Sequence, residues 1–61
     1  MPIVQVELLE GRTLEQKRLL VEKVTQAIVE SIGAPEETVS IIIRDMSKES
    51  YSKGGKLACD K

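Results

Sequence analysis

Histidine is absent from the 61-residue sequence, and Cys59 is its only cysteine. Without histidine the chain contains no Ser-His-Asp or Cys-His catalytic arrangement, and without a Cys/His cluster it offers no typical structural zinc site. One cysteine cannot form an internal disulfide, and a free thiol is typical of a reducing compartment. The sequence therefore predicts a cytoplasmic protein whose chemistry depends on other groups.

Aromatic residues and excess charge are also scarce. Tyr51 is the only aromatic residue. The chain has 9 basic and 10 acidic residues, which gives a net charge of −1. Nucleic-acid binding needs a basic surface and stacking aromatics, so no nucleic-acid partner is expected. No apolar run approaches the roughly 20 residues of a membrane span, and the start lacks the basic and apolar regions of a signal peptide. We therefore expect no membrane association.

The length of 61 residues suits one domain, residues 1–61, with a small core. A chain of this size buries only about 60% of the surface that its unfolded form exposes, so a lone monomer is marginally stable. Small domains usually gain stability from disulfides, a metal or oligomerisation. Since the sequence offers neither of the first two, it predicts a homo-oligomer.

The first half of the chain predicts a strand over residues 3–9 and a helix over residues 14–32. Val4, Val6 and Leu8 alternate with more polar positions, as in a strand with one buried face. Thr13 and Gln16 form a capping-box pattern, and Gly33 followed by Pro35 marks the helix end. The apolar positions recur at helical spacing at Leu20, Val24, Ala27, Ile28 and Ile32.

A second strand is predicted over residues 39–45, with an Ile-rich centre that is apolar on both faces. A strand–helix–strand order implies a right-handed crossover and a parallel strand pair. One helix covers one sheet face, so we expect another subunit to cover the other. Gly54-Gly55 marks a turn, and residues 56–58 suit a short arm that docks elsewhere. The predicted fold class is α+β: a β-α-β unit with a short C-terminal hairpin or arm.

Pro2 is the most unusual candidate for chemistry. If Met1 is removed, Pro2 becomes a free secondary amine, and terminal α-amines have an ordinary pKa near 8. An apolar pocket and a neighbouring cation both favour the neutral form, which suits proton abstraction next to a carbonyl. Taken alone, a proline after Met1 is also typical of an ordinary strand start.

Glu36 and Glu37, a possible pair of catalytic carboxylates, are neighbours in the sequence and directly follow Pro35. Such a pair is typical of a solvated turn.

Several segments in register resemble the 4-oxalocrotonate tautomerase family. The resemblance covers essentially the whole chain without gaps, and its most specific feature is a proline start combined with Glu-Gly-Arg after the first strand. The matching segments are Pro2-Ile3-Val4-Gln5-Val6, Leu9-Glu10-Gly11-Arg12-Thr13, Glu15-Gln16-Lys17, Ala34-Pro35, Asp45-Met46, Tyr51 and Gly54-Gly55.

The resemblance implies a β-α-β subunit that ends in a short hairpin and assembles into hexamers or related oligomers. It also implies an isomerase that interconverts enol and keto forms of 2-hydroxydienoate and 2-oxo acid substrates by 1,3- or 1,5-proton transfer, with no metal or other cofactor. Pro2 falls on the family's general base and acid. Arg12 falls on a substrate-binding arginine that grips a carboxylate, and Tyr51 falls on an aromatic pocket wall.

One position departs from the family pattern. Typical members carry a second substrate-binding arginine just inside the Ile-rich strand, where this chain has Ser40. A neutral hydroxyl cannot replace a charge-assisted, two-point contact, which argues against 4-oxalocrotonate-type dicarboxylates. Arg44 shares a strand face with Ser40 at about 13 Å and is a weaker candidate for substrate binding, as is Lys53 beside the glycine pair.

The sequence leaves two other functions open. Within the same superfamily, the proline can serve hydration of haloacrylates, although dehalogenase relatives usually carry an added acidic residue that activates water. A non-catalytic oligomeric module that kept the fold is the alternative from a different class, and the missing arginine at Ser40 is its best support.

Overall fold

A computed structural model describes residues 1–60 of the chain. The regular elements are strand β1 (Ile3–Leu9), helix α1 (Leu14–Ile32) and strand β2 (Ser40–Met46), followed by two short strands, β3 (Ser52–Lys53) and β4 (Lys56–Leu57). Single 3-10 turns lie at Glu36–Thr38, Lys48–Ser50 and Ala58–Asp60. The predicted α+β fold, with its β-α-β unit and C-terminal hairpin, is confirmed.

Strands β1 and β2 form a parallel two-stranded sheet in which Ile3 lies opposite Ser40 and Leu9 opposite Met46. β1 has the predicted bounds, whereas β2 begins and ends one residue later than the predicted 39–45. Val39 caps the 3-10 turn at Glu36–Thr38 and is not part of the strand, because its N–H donates to the Glu36 carbonyl at 3.2 Å. Met46 joins the strand because its carbonyl accepts from the Glu10 N–H at 2.8 Å.

Helix α1 has the bounds that its capping residues predict. The Thr13 hydroxyl accepts from the Gln16 N–H at 3.1 Å, and the Gln16 side chain accepts from the Thr13 N–H at 2.9 Å. At the other end Gly33 has a φ of 72°, a left-handed conformation that glycine adopts without the Cβ clash of other residues. Its N–H donates to the Val29 carbonyl at 3.0 Å, and this bond closes the last turn.

The apolar stripe of α1 differs in part from the predicted one. Leu20, Val24 and Ile28 are half-buried as expected, but Ala27 and Ile32 are exposed, the latter to 68%. The other half-buried helix positions are Lys17, Val21, Thr25 and Val29. A two-stranded sheet is narrow, so it covers this stripe and leaves the flank that carries Ala27 in solvent.

The C-terminal residues form the predicted hairpin. β3 and β4 are antiparallel, with Ser52 opposite Leu57 and Lys53 opposite Lys56. Gly54 and Gly55 have φ values of 63° and 83°, and positive φ at both central residues is the requirement of a type I′ turn. The hairpin places Leu57, 38% exposed, on the surface of the single chain.

None of residues 1–60 is fully buried in the single chain. Its accessible surface is 4839 Å², whereas a compact monomer of 6.8 kDa exposes about 3950 Å². Its Cα radius of gyration is 14.6 Å, against about 10.5 Å for a compact 61-residue domain. The fold is thus a thin, open layer, 43 × 23 × 13 Å, without an interior of its own. Within residues 1–60, no helix combines the length and apolar character needed to cross a membrane.

Candidate active site

Pro2 and Ser40 lie side by side at the amino end of the β1–β2 sheet. The Ser40 N–H donates to the Pro2 carbonyl at 3.0 Å, and the next residue, Ile3, is the register partner of Ser40. Pro2 is half-buried, and Ser40 is exposed. The parallel register therefore holds the backbone of Pro2 against the start of β2.

The nitrogen of Pro2 is a peptide nitrogen in this chain, because Met1 precedes it. Met1 itself is 91% exposed. An amide nitrogen has no basic lone pair, so this form cannot accept a proton at Pro2. Removal of Met1 would leave the nitrogen as a secondary amine at the tip of β1, still positioned by the Ser40 hydrogen bond to the proline carbonyl.

Arg12 lies at the opposite end of the sheet, in the loop between β1 and α1. It lines a cavity of about 290 Å³ together with Leu8, Gln16, Lys17 and Leu20. Three of these residues belong to the first two turns of α1, and Leu8 belongs to the helix-facing side of β1. The cavity therefore combines an apolar floor with cationic and amide groups at the helix start.

The three arginines of the chain differ in their partners. The guanidinium of Arg18 pairs with Glu15, and that of Arg44 pairs with Glu7 at 2.8 Å. No ion pair engages Arg12 within the described residues 1–60. Arg12 is thus the arginine with donors to spare for an external carboxylate.

Lys17, the second cation of the cavity, forms an ion pair with Asp45 of β2. This pair joins the start of α1 to the carboxyl end of the sheet and offsets the charge of the lysine. Sequence analysis did not single out Lys17 or Leu8 as cavity-lining residues. The sequence did carry a signal for this cavity: Gln16 and Leu20 are four residues apart, on one side of a helix that begins two residues after Arg12.

Tyr51 lies at the same end of the sheet as Arg12, directly after the 3-10 turn that follows β2. The Glu10 carboxylate accepts from the Lys48 N–H at 3.4 Å, a weak bond that ties this turn to the loop bearing Arg12. The Tyr51 carbonyl accepts from the Ala58 N–H at 2.8 Å, which extends the hairpin ladder. Tyr51 is 42% exposed, so in one chain it is a surface residue and does not form an enclosed pocket wall.

Arg44 and Lys53, the two weaker candidates, are not brought to Pro2. Arg44 lies four residues beyond Ser40 on β2, a distance of about 13 Å along the strand, and its charge is paired with Glu7. Lys53 is exposed in the hairpin.

The two groups of candidates lie at opposite ends of the molecule. The seven residues of β1 separate Pro2 from the loop of Arg12 by roughly 23 Å, at about 3.3 Å per residue. Pro2 and Ser40 occupy one end, and Arg12 and Tyr51 occupy the other. No small organic acid spans this gap, so Pro2 and Arg12 of one chain cannot contact the same small ligand.

Comparison with known proteins gives a consistent result. Residues 2–61 match the model of a family described as tautomerase enzyme. The 2-hydroxymuconate tautomerase of Bacillus subtilis is 53% identical over 60 residues, which cover 98% of this chain and 97% of that protein.

Solved structures resemble the fold over nearly its whole length. A crystal structure of a homologue of 4-oxalocrotonate tautomerase has a TM-score of 0.94 and 52% identity, and the match covers 98% of each chain. A heterohexamer 4-oxalocrotonate tautomerase from Chloroflexus aurantiacus has a TM-score of 0.93 at 27% identity, with 98% of this chain and 97% of that chain covered.

Proposed function

We propose that this chain, which belongs to the tautomerase family, is an isomerase. It would interconvert the enol and keto forms of 2-hydroxydienoate and 2-oxo acid substrates. Pro2 would serve as the general base and acid. The observation that carries this proposal is the family match itself, which begins at residue 2 and runs to residue 61. The 53% identity to a 2-hydroxymuconate tautomerase supports the substrate class. The whole chain would act as a single domain in the cytoplasm.

The proposed reaction is a proton transfer within the substrate. The neutral amine of Pro2 accepts the proton of the 2-hydroxyl group, and the electron pair of the broken O–H bond forms the 2-oxo group. The displaced π electrons of the C2=C3 bond then take the proton from the protonated amine at carbon 3, or they form a C3=C4 bond while the C4=C5 electrons take it at carbon 5. The results are the 1,3- and 1,5-shifted products. An amine whose ordinary pKa lies near 8 is neutral often enough at physiological pH for this step. The step needs no redox partner and no cofactor.

Arg12 is proposed as the carboxylate-binding residue, contributed by a second copy of the chain. Its guanidinium, which forms no ion pair within residues 1–60, offers two parallel N–H donors that match the geometry of a carboxylate. The separation of roughly 23 Å excludes Arg12 of the same chain as partner of Pro2. An antiparallel two-fold arrangement of β1 strands brings the amino end of one copy beside the carboxyl end of the other. Tyr51 lies at the same end of the sheet as Arg12, so the second copy would contribute both residues to the same site.

Self-association is supported by three properties of the single chain. It has no fully buried residue among 1–60, both strands of its main sheet are edge strands, and the sheet face opposite α1 is uncovered. Edge strands with free N–H and C=O groups readily pair with another chain. The similarity to a heterohexamer tautomerase makes a hexamer the favoured assembly.

The first experiment combines intact mass with activity. Purified protein should have lost the mass of Met1, and ketonisation of phenylenolpyruvate should rise in proportion to the processed fraction. Pro2→Ala should lower kcat/KM by about 100-fold or more, the size of general acid–base contributions. Circular dichroism and sedimentation of the variant control for folding and assembly.

The same experiment separates the alternative functions. A processed protein without ketonisation activity would point to the non-catalytic oligomeric module. Release of halide from a 3-haloacrylate, together with no turnover of enol substrates, would indicate a dehalogenase function. An unchanged rate in Pro2→Ala, or full activity in protein that retains Met1, would contradict the proline mechanism.

A further inference from the structure

The Arg12 cavity is lined by two cationic residues and by no acidic one. Its five lining residues are Leu8, Arg12, Gln16, Lys17 and Leu20, and all of them belong to one chain. With about 290 Å³ the cavity lies near the lower end of the volumes of small-molecule sites, roughly 300–1,000 Å³. Its apolar floor and cationic lining suit a small organic anion.

Lys17 is the basic residue of α1 that lies on the side facing the sheet. It is half-buried, whereas Arg18 and Lys23, the other basic residues of the helix, are exposed. Its side chain is 27% exposed and forms an ion pair with Asp45, which lies opposite Leu8 in the strand register. Partial burial of a cation costs free energy unless partners replace the lost hydration. The packing of α1 alone therefore does not explain a lysine at this position.

The ion pair with Asp45 leaves donors of Lys17 unused. An ammonium group has three N–H donors, and Asp45 is the only hydrogen-bond partner of the lysine side chain within residues 1–60. In the same part of the chain, Arg12 forms no ion pair. Two cationic groups that can each donate to a further acceptor thus line the same cavity.

We propose that this cavity holds the substrate carboxylate between Arg12 and Lys17, and that Asp45 sets the affinity by partly neutralising the lysine. The inference rests on the proposed function, because it names a further binding residue of the same site. In the proposed two-fold arrangement the second copy brings its Pro2 end, and residues 1–11 and 34–43 of that end contain no lysine or arginine. Both cations around the carboxylate therefore come from one chain.

A purely structural ion pair would respond differently to substitution. If the pair only held α1 against the sheet, loss of either partner would disturb the cavity in the same direction. If Lys17 contacts the ligand, its loss weakens the binding of an anion. Loss of the Asp45 charge then strengthens binding, because the charge of the lysine is no longer offset. The sign of the two effects therefore separates the two functions.

The test is calorimetric titration of the assembled protein with hexa-2,4-dienoate, a carboxylate that lacks the reacting 2-hydroxyl group. Lys17→Met removes the charge of the side chain and should raise Kd by about 10-fold, the size of a charge-assisted hydrogen bond. Asp45→Asn keeps an acceptor for the lysine and should lower Kd by about 3-fold or more. Lys23→Met and Glu22→Gln make the same charge changes at exposed positions of α1 and should each change Kd by less than about 2-fold.

Three results would overturn the inference: weaker binding in Asp45→Asn, unchanged binding in Lys17→Met, or no saturable binding by the unmodified protein. The result for Asp45→Asn does not depend on the stability of Lys17→Met, because tighter binding requires an intact cavity.

Failure of the proposed function gives a different pattern. The titration involves no proton transfer, so the changes in Kd at positions 17 and 45 should be the same in a Pro2→Ala background. In turnover, Lys17→Met should raise KM with little change in kcat, because the carboxylate is held equally in the ground and transition states. If Pro2→Ala leaves turnover unchanged, the proline mechanism fails, and the opposite signs at positions 17 and 45 still decide this inference.

Discussion

At the residue scale, the charge partners of the arginines decide which of them can act on a ligand. Arg18 and Arg44 are both held by carboxylates of their own chain, whereas no ion pair engages Arg12 within residues 1–60. Arg12 also has a cavity beside it, and its loop is fixed by Glu10, whose N–H donates to the Met46 carbonyl at 2.8 Å. A free guanidinium beside a fixed cavity is suited to bind a carboxylate at little cost in rearrangement.

Replacing Arg12 should therefore weaken substrate binding without unfolding the chain. Arg12→Ala removes a charge-assisted contact that is worth about 1.5–3 kcal/mol, so we expect KM to rise by roughly 10- to 150-fold. Steady-state kinetics on phenylenolpyruvate measures this effect. Arg18→Ala is the matched control, because it removes an exposed arginine whose ion pair with Glu15 contributes little. Equal effects of the two variants would contradict a specific role for Arg12.

At the element scale, α1 depends on its caps because its packing is thin. The helix has 19 residues, and none of them is fully buried in the single chain. The reciprocal bonds between Thr13 and Gln16 satisfy two N–H groups at its start, and Gly33 closes its end. The same helix start carries Gln16 and Lys17 into the wall of the Arg12 cavity, so the cap also fixes the geometry of that wall.

Thr13→Ala should destabilise the protein by about 1 kcal/mol, the typical cost of losing an N-cap side chain. For a domain of this size that corresponds to a fall in Tm of roughly 4–8 °C. Thermal unfolding at fixed chain concentration measures it, since assembly makes Tm depend on concentration. Ser31→Ala is the control: Ser31 is exposed in the last turn of α1, away from the N-cap, and alanine is a slightly better helix former than serine. A loss in the control as large as in Thr13→Ala would assign the effect to general helix weakening.

At the scale of the whole molecule, the uncovered sheet face explains the open shape. The side chains of Ile3 and Ile42 are 62% and 39% exposed, on the face away from α1. Glu7 and Arg44 are paired across the strands of the same face. A face that mixes exposed isoleucines with an internally neutralised ion pair is well suited to burial against another copy.

Placing a charge on that face should break the assembly. Ile42→Lys would bury an unpaired ammonium in a subunit contact, at a cost of about 3–5 kcal/mol, which weakens association by 100-fold or more. Sedimentation velocity over a dilution series should show smaller species, with loss of activity in parallel, because the proposed site combines Pro2 of one copy with Arg12 of another. Ile32→Lys makes the same change at a 68% exposed position of α1 and should leave the assembly intact. If only Ile32→Lys dissociates the protein, the helix side and not the sheet face is the contact.

How far the sequence predicts the site depends on where each residue lies along the chain. Pro2, Arg12 and Ser40 are found from the residue pattern and the family resemblance, but the pattern does not give their distances. The pairing of Arg44 with Glu7, and of Lys17 with Asp45, joins residues that are far apart in sequence. These contacts follow from the strand register and from the way α1 crosses the sheet, so local pattern alone does not supply them.

The sequence by itself determined the elements of this protein. Alternation along residues 3–9, the Thr13–Gln16 box and the left-handed Gly33 are local properties, and local interactions set the bounds of β1 and α1. Only the tertiary structure decided that β2 extends to Met46, that the helix stripe leaves Ala27 in solvent, and that Pro2 and Arg12 lie at opposite ends of one sheet. The physical reason is that register and crossover direction are properties of paired segments, and pairing depends on residues distant along the chain.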